Sequence, residues 1–267
     1  MGILLRAVGA HVPSRQPIEE ARERRADLVQ IFLSDPQGWK KPLPRPDAAE
    51  LRASPIPIYV HSPYLINVCA DNNKIRVPSR RILQETCDAA AEIAATAVVV
   101  HGGHVTGDGP QVEGILRWRK ALEPLDTQVP LLIENTAGGD KALARRVEWI
   151  ARLFAEISEF DVGFVLDTCH VWAGGEPFDE LVPRVMEATG RIDLVHANDS
   201  KDLFDSRRDR HENLGQGKIP SAELARVIAE ADAPVVVETP GGAAEQGADI
   251  EWVRARLASA QQPSPGP

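Results

Sequence analysis

Seven side chains able to bind metal ions or move protons close off seven apolar runs of this 267-residue chain. His11 follows residues 3–10, His61 follows 56–60, His101 follows 97–100, Glu134 follows 130–133, Asp167 follows 162–166, His196 follows 192–195 and Glu238 follows 234–237. An eighth run, 28–33, has no such residue after it. After a single strand a polar residue is ordinarily a turn or a cap; seven in the same register point to one shared pocket. Carboxylates packed among imidazoles away from water repel one another and are poorly solvated unless cations lie between them. Mixed imidazole and carboxylate donors suit zinc, iron or manganese, whereas an all-oxygen set would suit magnesium or calcium. Zinc is the first choice. Asp167-Thr168-Cys169-His170 and Asp209-Arg210-His211 supply further candidate ligands. Asp167 and His170 stand just past a strand, where a turn can send them to neighbouring ions. Leu214-Gly215-Gln216-Gly217 then marks a tight turn.

Gathering these residues demands a particular framework. Helix-period stretches at 79–95, 111–125, 141–157, 178–189, 221–231 and 248–257 lie between the apolar runs. Eight strand-and-helix units of about 33 residues fit a (β/α)8 barrel, whose C-terminal strand ends converge on one face. The expected fold is a single α/β TIM barrel over residues 1–260, with the metal site at those strand ends; a doubly wound open sheet is the alternative. Residues 261–267 lack periodicity and read as a disordered tail. A hydrophobic content of 43% and a charged content of 26% exclude disordered, collagen-like and coiled-coil classes.

Three cysteines without C-x-x-C spacing argue against a disulfide framework or a cysteine zinc knuckle. They favour a reducing, cytoplasmic setting. The first residues lack a basic segment followed by a full apolar run and no stretch of about 18 apolar residues occurs, so neither secretion nor a membrane partner is expected. The net charge of −9 argues against nucleic acid unless bound cations change the sign of a cleft. Neither G-x-G-x-x-G, a P-loop nor G-x-S-x-G occurs. Cys169 reads as a thiol packing the barrel rim and His104 as a hydrogen-bonding neighbour of the site. Trp118, Trp149 and Trp252 read as helix packing residues, and Trp39 and Trp172 as loop residues lining a cleft.

With these residues in view the chain resembles the endonuclease IV family of zinc-dependent apurinic/apyrimidinic endonucleases over roughly residues 7 to 258. The segments that carry the resemblance are Gly9-Ala10-His11-Val12, His61-Ser62-Pro63-Tyr64-Leu65-Ile66-Asn67, His101-Gly102-Gly103-His104, Ile133-Glu134-Asn135-Thr136-Ala137-Gly138, Leu166-Asp167-Thr168-Cys169-His170, His196-Ala197-Asn198-Asp199-Ser200, Asp209-Arg210-His211-Glu212-Asn213-Leu214-Gly215 and Glu238-Thr239-Pro240. The resemblance implies three Zn²⁺, with manganese or iron as substitutes. His61, His101 and Glu134 would hold one ion, and Glu134, Asp167, His196 and Glu238 a second, Glu134 bridging as the catalytic carboxylate. His170, Asp209 and His211 would hold the third. Three such ions would take the formal charge from −9 to −3.

The implied reaction is hydrolysis of the phosphodiester 5′ to an abasic site by water activated between the ions, leaving a 3′-hydroxyl and a 5′-deoxyribose phosphate. Removal of 3′-blocking groups is implied as a related activity. The implied partner of a monomeric enzyme is double-stranded DNA carrying abasic sites or blocked 3′ ends. Tyr64 and Leu65 match loop residues that enter the minor groove at the lesion. Gln37 stands where the family often has a DNA-probing arginine. The family's H-P-G-S-H is one residue shorter here, as His101-Gly102-Gly103-His104, and Pro13-Ser14-Arg15-Gln16-Pro17 replaces a Gly-rich segment. Lys40, Lys41, Arg76, Arg80, Arg81, Arg207, Arg208 and Arg210 are candidate phosphate contacts. The alternatives are a xylose-isomerase-like metal-dependent sugar isomerase or epimerase and a catalytically silent DNA-binding barrel. A third ligand group at His170, Asp209 and His211 has no evident role in sugar isomerisation.

Overall fold

Parallel strands buried on both faces read as near-continuous apolar runs, and such runs form eight parallel strands that close on themselves. The structure, a computed structural model, describes residues 7–260. The barrel strands are β1 (Val8–His11), β2 (Val29–Phe32), β3 (Ile58–His61), β4 (Ala97–His101), β5 (Leu131–Glu134), β6 (Val162–Asp167), β7 (Leu194–His196) and β10 (Val235–Val237). Each strand pairs with its neighbours in sequence order, and β10 returns to β1. A ribbon of β8 (Asp199–Ser200) and β9 (His211–Glu212) lies outside the barrel.

The helices are α1 (Pro17–Arg24), α2 (Ala48–Ala53), α3 (Asn73–Glu92), α4 (Gln111–Leu122), α5 (Val147–Glu156), α6 (Thr168–Ala173), α7 (Leu181–Thr189), α8 (Ser221–Ala231) and α9 (Ala243–Ala260). The six expected helices all form. The fifth begins at Val147 rather than 141, because the backbone of 141–144 is drawn into contacts with the loop after β4. There Lys141 accepts from Val105, and Leu143 donates to Gly103. Trp172, expected in a loop, lies in α6 and stacks on Phe178. The expected tail 261–267 and the start of the first apolar run lie outside the described residues. No helix among the described residues is long and apolar enough to cross a membrane.

Two apolar layers follow from the strand period of two. Ala7, Leu28, Tyr59, Ala97, Val99, Leu132, Val165, Leu194 and Val236 fill the barrel interior. The alternate residues pack outward against the helices. On seven of the eight strands the inward set continues two residues further into Gln30, His61, His101, Glu134, Asp167, His196 and Glu238, and on β1 it passes through Gly9 to His11. The same alternation that fills the core therefore stacks the polar residues directly above it. At Gly9 a Cβ would lie 1.8 Å from the Leu28 carbonyl oxygen, so only glycine lets β1 approach the chain entering β2 this closely.

Candidate metal centre

Glu134 is fully buried and is the hub of the site. Its Oε2 lies 3.1 Å from His61 Nε2 and 3.4 Å from His101 Nε2, and its Oε1 lies 3.1 Å from His196 Nδ1 and 3.2 Å from His170 Nδ1. Donor atoms converge in groups: His61 with His101 and Glu134; Glu134 with Asp167, His196 and Glu238; and Asp167 with His170 and His211. Asp209 joins the last group, with oxygens 3.1 Å from His170 Nε2 and 3.0 Å from His211 Nε2. All nine expected ligand residues thus meet on one face.

The local folding that aims them is specific. Asp167 caps α6, its Oδ1 accepting from His170 N at 2.6 Å, so the three-residue spacing fixes both side chains at once. Asn198 donates to Asp167 Oδ2 at 2.7 Å and accepts from Glu238 N at 2.8 Å. Asn135 accepts from Asp167 N and donates to the Asp167 carbonyl. Buried Asp199 accepts from the backbone N–H groups of Ser200, Gly215, Gly217 and Ile219, which holds the turn beyond His211. His61, His170 and His211 place Nδ1 against the carbonyls of Ser62, Asn135 and Glu238 at 2.7, 2.9 and 3.2 Å. A carbonyl only accepts, so the proton sits on Nδ1 and Nε2 turns to the centre.

The charge balance bears on what these side chains could hold. Burial opposes ionisation of Glu134, yet His196 and His101 outweigh it and hold the carboxyl well below the usual range. Burial raises Asp167 and lowers His101 to about 4. His196 is raised to about 9 against its burial by Glu238 and Glu134. His211 is likewise raised to about 9, by Asp209 and Asp167. Protons are thus drawn to buried imidazoles that ordinarily titrate near 6.5, the condition that divalent cations would relieve. The Nε2 atoms of His170 and His211 are buried and lack an aligned hydrogen-bond partner despite the nearby Asp209 oxygens. Orphaned nitrogens beside carboxylates, with mixed N and O donors, fit zinc-type ligation. Cys169 comes near Asp209 and His211, but burial pushes its thiol up to about 12, leaving it protonated.

A cavity of about 430 Å³ opens from the centre, lined among others by Trp39, Tyr64, Leu65, His101, His104 and Asp209. Tyr64 is half-exposed and stacks on His101 at 5.8 Å. Its N–H donates to the Pro36 carbonyl, which ties the Tyr64 loop to the segment bearing exposed Gln37. His104 stays outside the ligand groups and is joined to Asn67. His11 lies beside Glu238 without entering a group. Arg76 and Arg80 bond backbone carbonyls, and Arg207 and Arg210 pair with Asp140 and Asp202. Sequence reading assigned no site role to Gln30, nor to Asn198 and Asp199, which entered it only as part of a segment carrying the resemblance. Gln30 had a usable signal as a polar residue at an inward strand position between Leu28 and Phe32.

Fold and site together define a metal-binding barrel of the xylose-isomerase-like class, and residues 18–256 match the family described as "Xylose isomerase-like TIM barrel". The chain is 54% identical over 254 residues to the probable endonuclease 4 of Mycobacterium ulcerans (strain Agy99), covering 94% of this chain and 99% of that one. Endonuclease IV from Thermus thermophilus superimposes with a TM-score of 0.82 at 30% identity, covering 95% of this chain and 99% of that one. A D-tagatose 3-epimerase-like protein gives 0.75 at 18% identity, covering 96% of this chain and 100% of that one, a likeness of fold alone. The chain belongs to the endonuclease IV family, a family of nucleases within the hydrolases.

Proposed function

We propose that this protein is a DNA-repair endonuclease that hydrolyses the phosphodiester 5′ to an abasic site, leaving a 3′-hydroxyl and a 5′-deoxyribose phosphate, and that also clears blocked 3′ ends. It acts as a monomer in the cytoplasm, within base excision repair. His61, His101 and Glu134 would hold one Zn²⁺, Glu134, Asp167, His196 and Glu238 a second, and His170, Asp209 and His211 a third, with Mn²⁺ or Fe as substitutes. When bound, such ions make water acidic enough to supply a nucleophile near neutral pH and offset charge on the phosphate.

The chain's own residues do the rest. Glu134, ionised and shared between two groups, fixes their spacing and is the catalytic carboxylate. Tyr64 and Leu65 enter the minor groove beside the lesion and replace the missing stacking, and Gln37 touches the duplex from the adjoining loop. A nucleotide without a base has little stacking to lose and enters the cavity at small cost, which selects it by shape. The observation that carries this reading is the third ligand group, His170 with Asp209 and His211, beside the first two. Sugar isomerisation gives it no task.

The test is cleavage of a labelled duplex bearing one abasic analogue that cannot undergo β-elimination, with an undamaged duplex as control. A lesion-dependent nick ending in a 3′-hydroxyl is expected. An intact duplex after incubation with zinc-loaded protein would overturn the proposal and direct attention to sugar substrates.

A further inference from the structure

Four imidazoles of the centre reveal their tautomers through their neighbours, and one departs from the rest. His61, His170 and His211 lean on main-chain carbonyls through Nδ1. His196 instead presents Nδ1 to Glu134 Oε1 at 3.1 Å and to Glu238 Oε2 at 3.3 Å, and its Nε2 lies 3.0 Å from Gln30 Oε1. Gln30 is fully buried, and its amide nitrogen lies 2.7 Å from Glu238 Oε1 and 3.0 Å from His11 Nδ1.

The donors and acceptors leave one solution. An ionised carboxylate only accepts, so the end of the Gln30 amide facing Glu238 is the NH₂. The reversed amide would set two acceptor oxygens 2.7 Å apart at a largely buried contact. With the NH₂ bound to Glu238, the Gln30 carbonyl faces His196. A carbonyl only accepts, so neutral His196 keeps its proton on Nε2 and directs the Nδ1 lone pair into the group formed with Glu134, Asp167 and Glu238.

We infer that Gln30 is a positioning residue for the metal centre. It stands in for the backbone carbonyl that His196 lacks, and it holds Glu238 by one oxygen so that the other turns toward His196. One side chain from β2, a strand that contributes no ligand of its own, thereby orients two ligands of the same group. The inference rests on the reading of Glu134, Asp167, His196 and Glu238 as a metal site.

The test compares the wild type with Gln30→Met, which keeps length and volume and removes both polar ends. Zinc is titrated into each metal-stripped protein against a competing chromophoric chelator, and thermal unfolding of the metal-free proteins is measured alongside. One zinc of the variant should bind roughly 10–100-fold more weakly while the others keep wild-type affinity, with the metal-free proteins unfolding at similar temperatures. Long-range ¹H–¹⁵N histidine spectra of zinc-loaded wild type give a readout that needs no variant: the His196 proton should reside on Nε2. Equal zinc affinities in the two proteins, or a His196 proton on Nδ1, would overturn the role of Gln30. A wild type that takes up no zinc would instead overturn the metal reading, and this inference with it.

Discussion

His196 Nδ1 lies 3.1 Å from Glu134 Oε1, while the other oxygen of that carboxylate faces His61 at the same distance across the barrel. Glu134→Ala therefore removes an anion from two ligand groups at once. Nicking of an abasic duplex should fall by about 10²–10⁴-fold, with zinc content reduced. Near wild-type nicking would refute the bridging role.

Asp209 reaches only the group formed with His170 and His211. Asp209→Ala should cost one equivalent of zinc, counted by elemental analysis after gel filtration, and leave the other ions in place. Unchanged stoichiometry would remove Asp209 from the ligand set.

Tyr64 touches the centre through its ring and not through a ligand atom. Tyr64→Ala should reduce the preference for abasic over undamaged duplex by about tenfold, of the order of one stacking contact. Metal content should be retained. If zinc stoichiometry collapses instead, Tyr64 is part of the metal-holding structure and not a wedge.

The metal-stripped protein should show a stability optimum near the ordinary histidine value of 6.5. His196 and His211 are raised to about 9, so their contribution is fully present below pH 6.5 and is lost as pH rises through 9. His101, lowered to about 4, acts in the opposite sense and costs stability as pH falls from 6.5 toward 4. Ligation needs neutral imidazoles, so zinc-loaded protein should not share the loss on the alkaline side. Melting curves across this range with and without zinc test both signs; a metal-free Tm that climbs between pH 6.5 and 9 would contradict the assignment.

Asp199 accepts four backbone N–H groups around the turn after His211. Asp199→Ala strands the buried donors of Ser200 and Ile219 and frees those of Gly215 and Gly217 nearer the surface, and a loss of about 3 kcal/mol is expected from denaturant unfolding. A change below about 1 kcal/mol would mean the turn is held by other contacts.

The barrel and the convergence of its candidate ligands were readable because both obey one short period. Seven of the eight strands are apolar runs closed by a group of ligand type, so His61, His101, Glu134, Asp167, His196 and Glu238 stood out by place as well as type. Gln30 broke that rule: it sits within β2 instead of at its end, and an amide gives no sign of charge or ligation. The two-residue strands β8 and β9 and the short helices α1, α2 and α6 are too brief to show a period. Asp199 and Asn198 could not be separated from ordinary loop residues, because their task is to satisfy backbone groups brought near only by the finished fold.

Three of the imidazoles lean on main-chain carbonyls. Every residue type carries that oxygen, so replacing Ser62 or Asn135 leaves the acceptor for its histidine in place. Over evolutionary time the side chains around these histidines can drift while their aim is inherited from the backbone path. His196 has no such insurance. The position that supports it is free to change type, and a lineage that substitutes Gln30 must find another acceptor for His196 or leave that imidazole less firmly aimed.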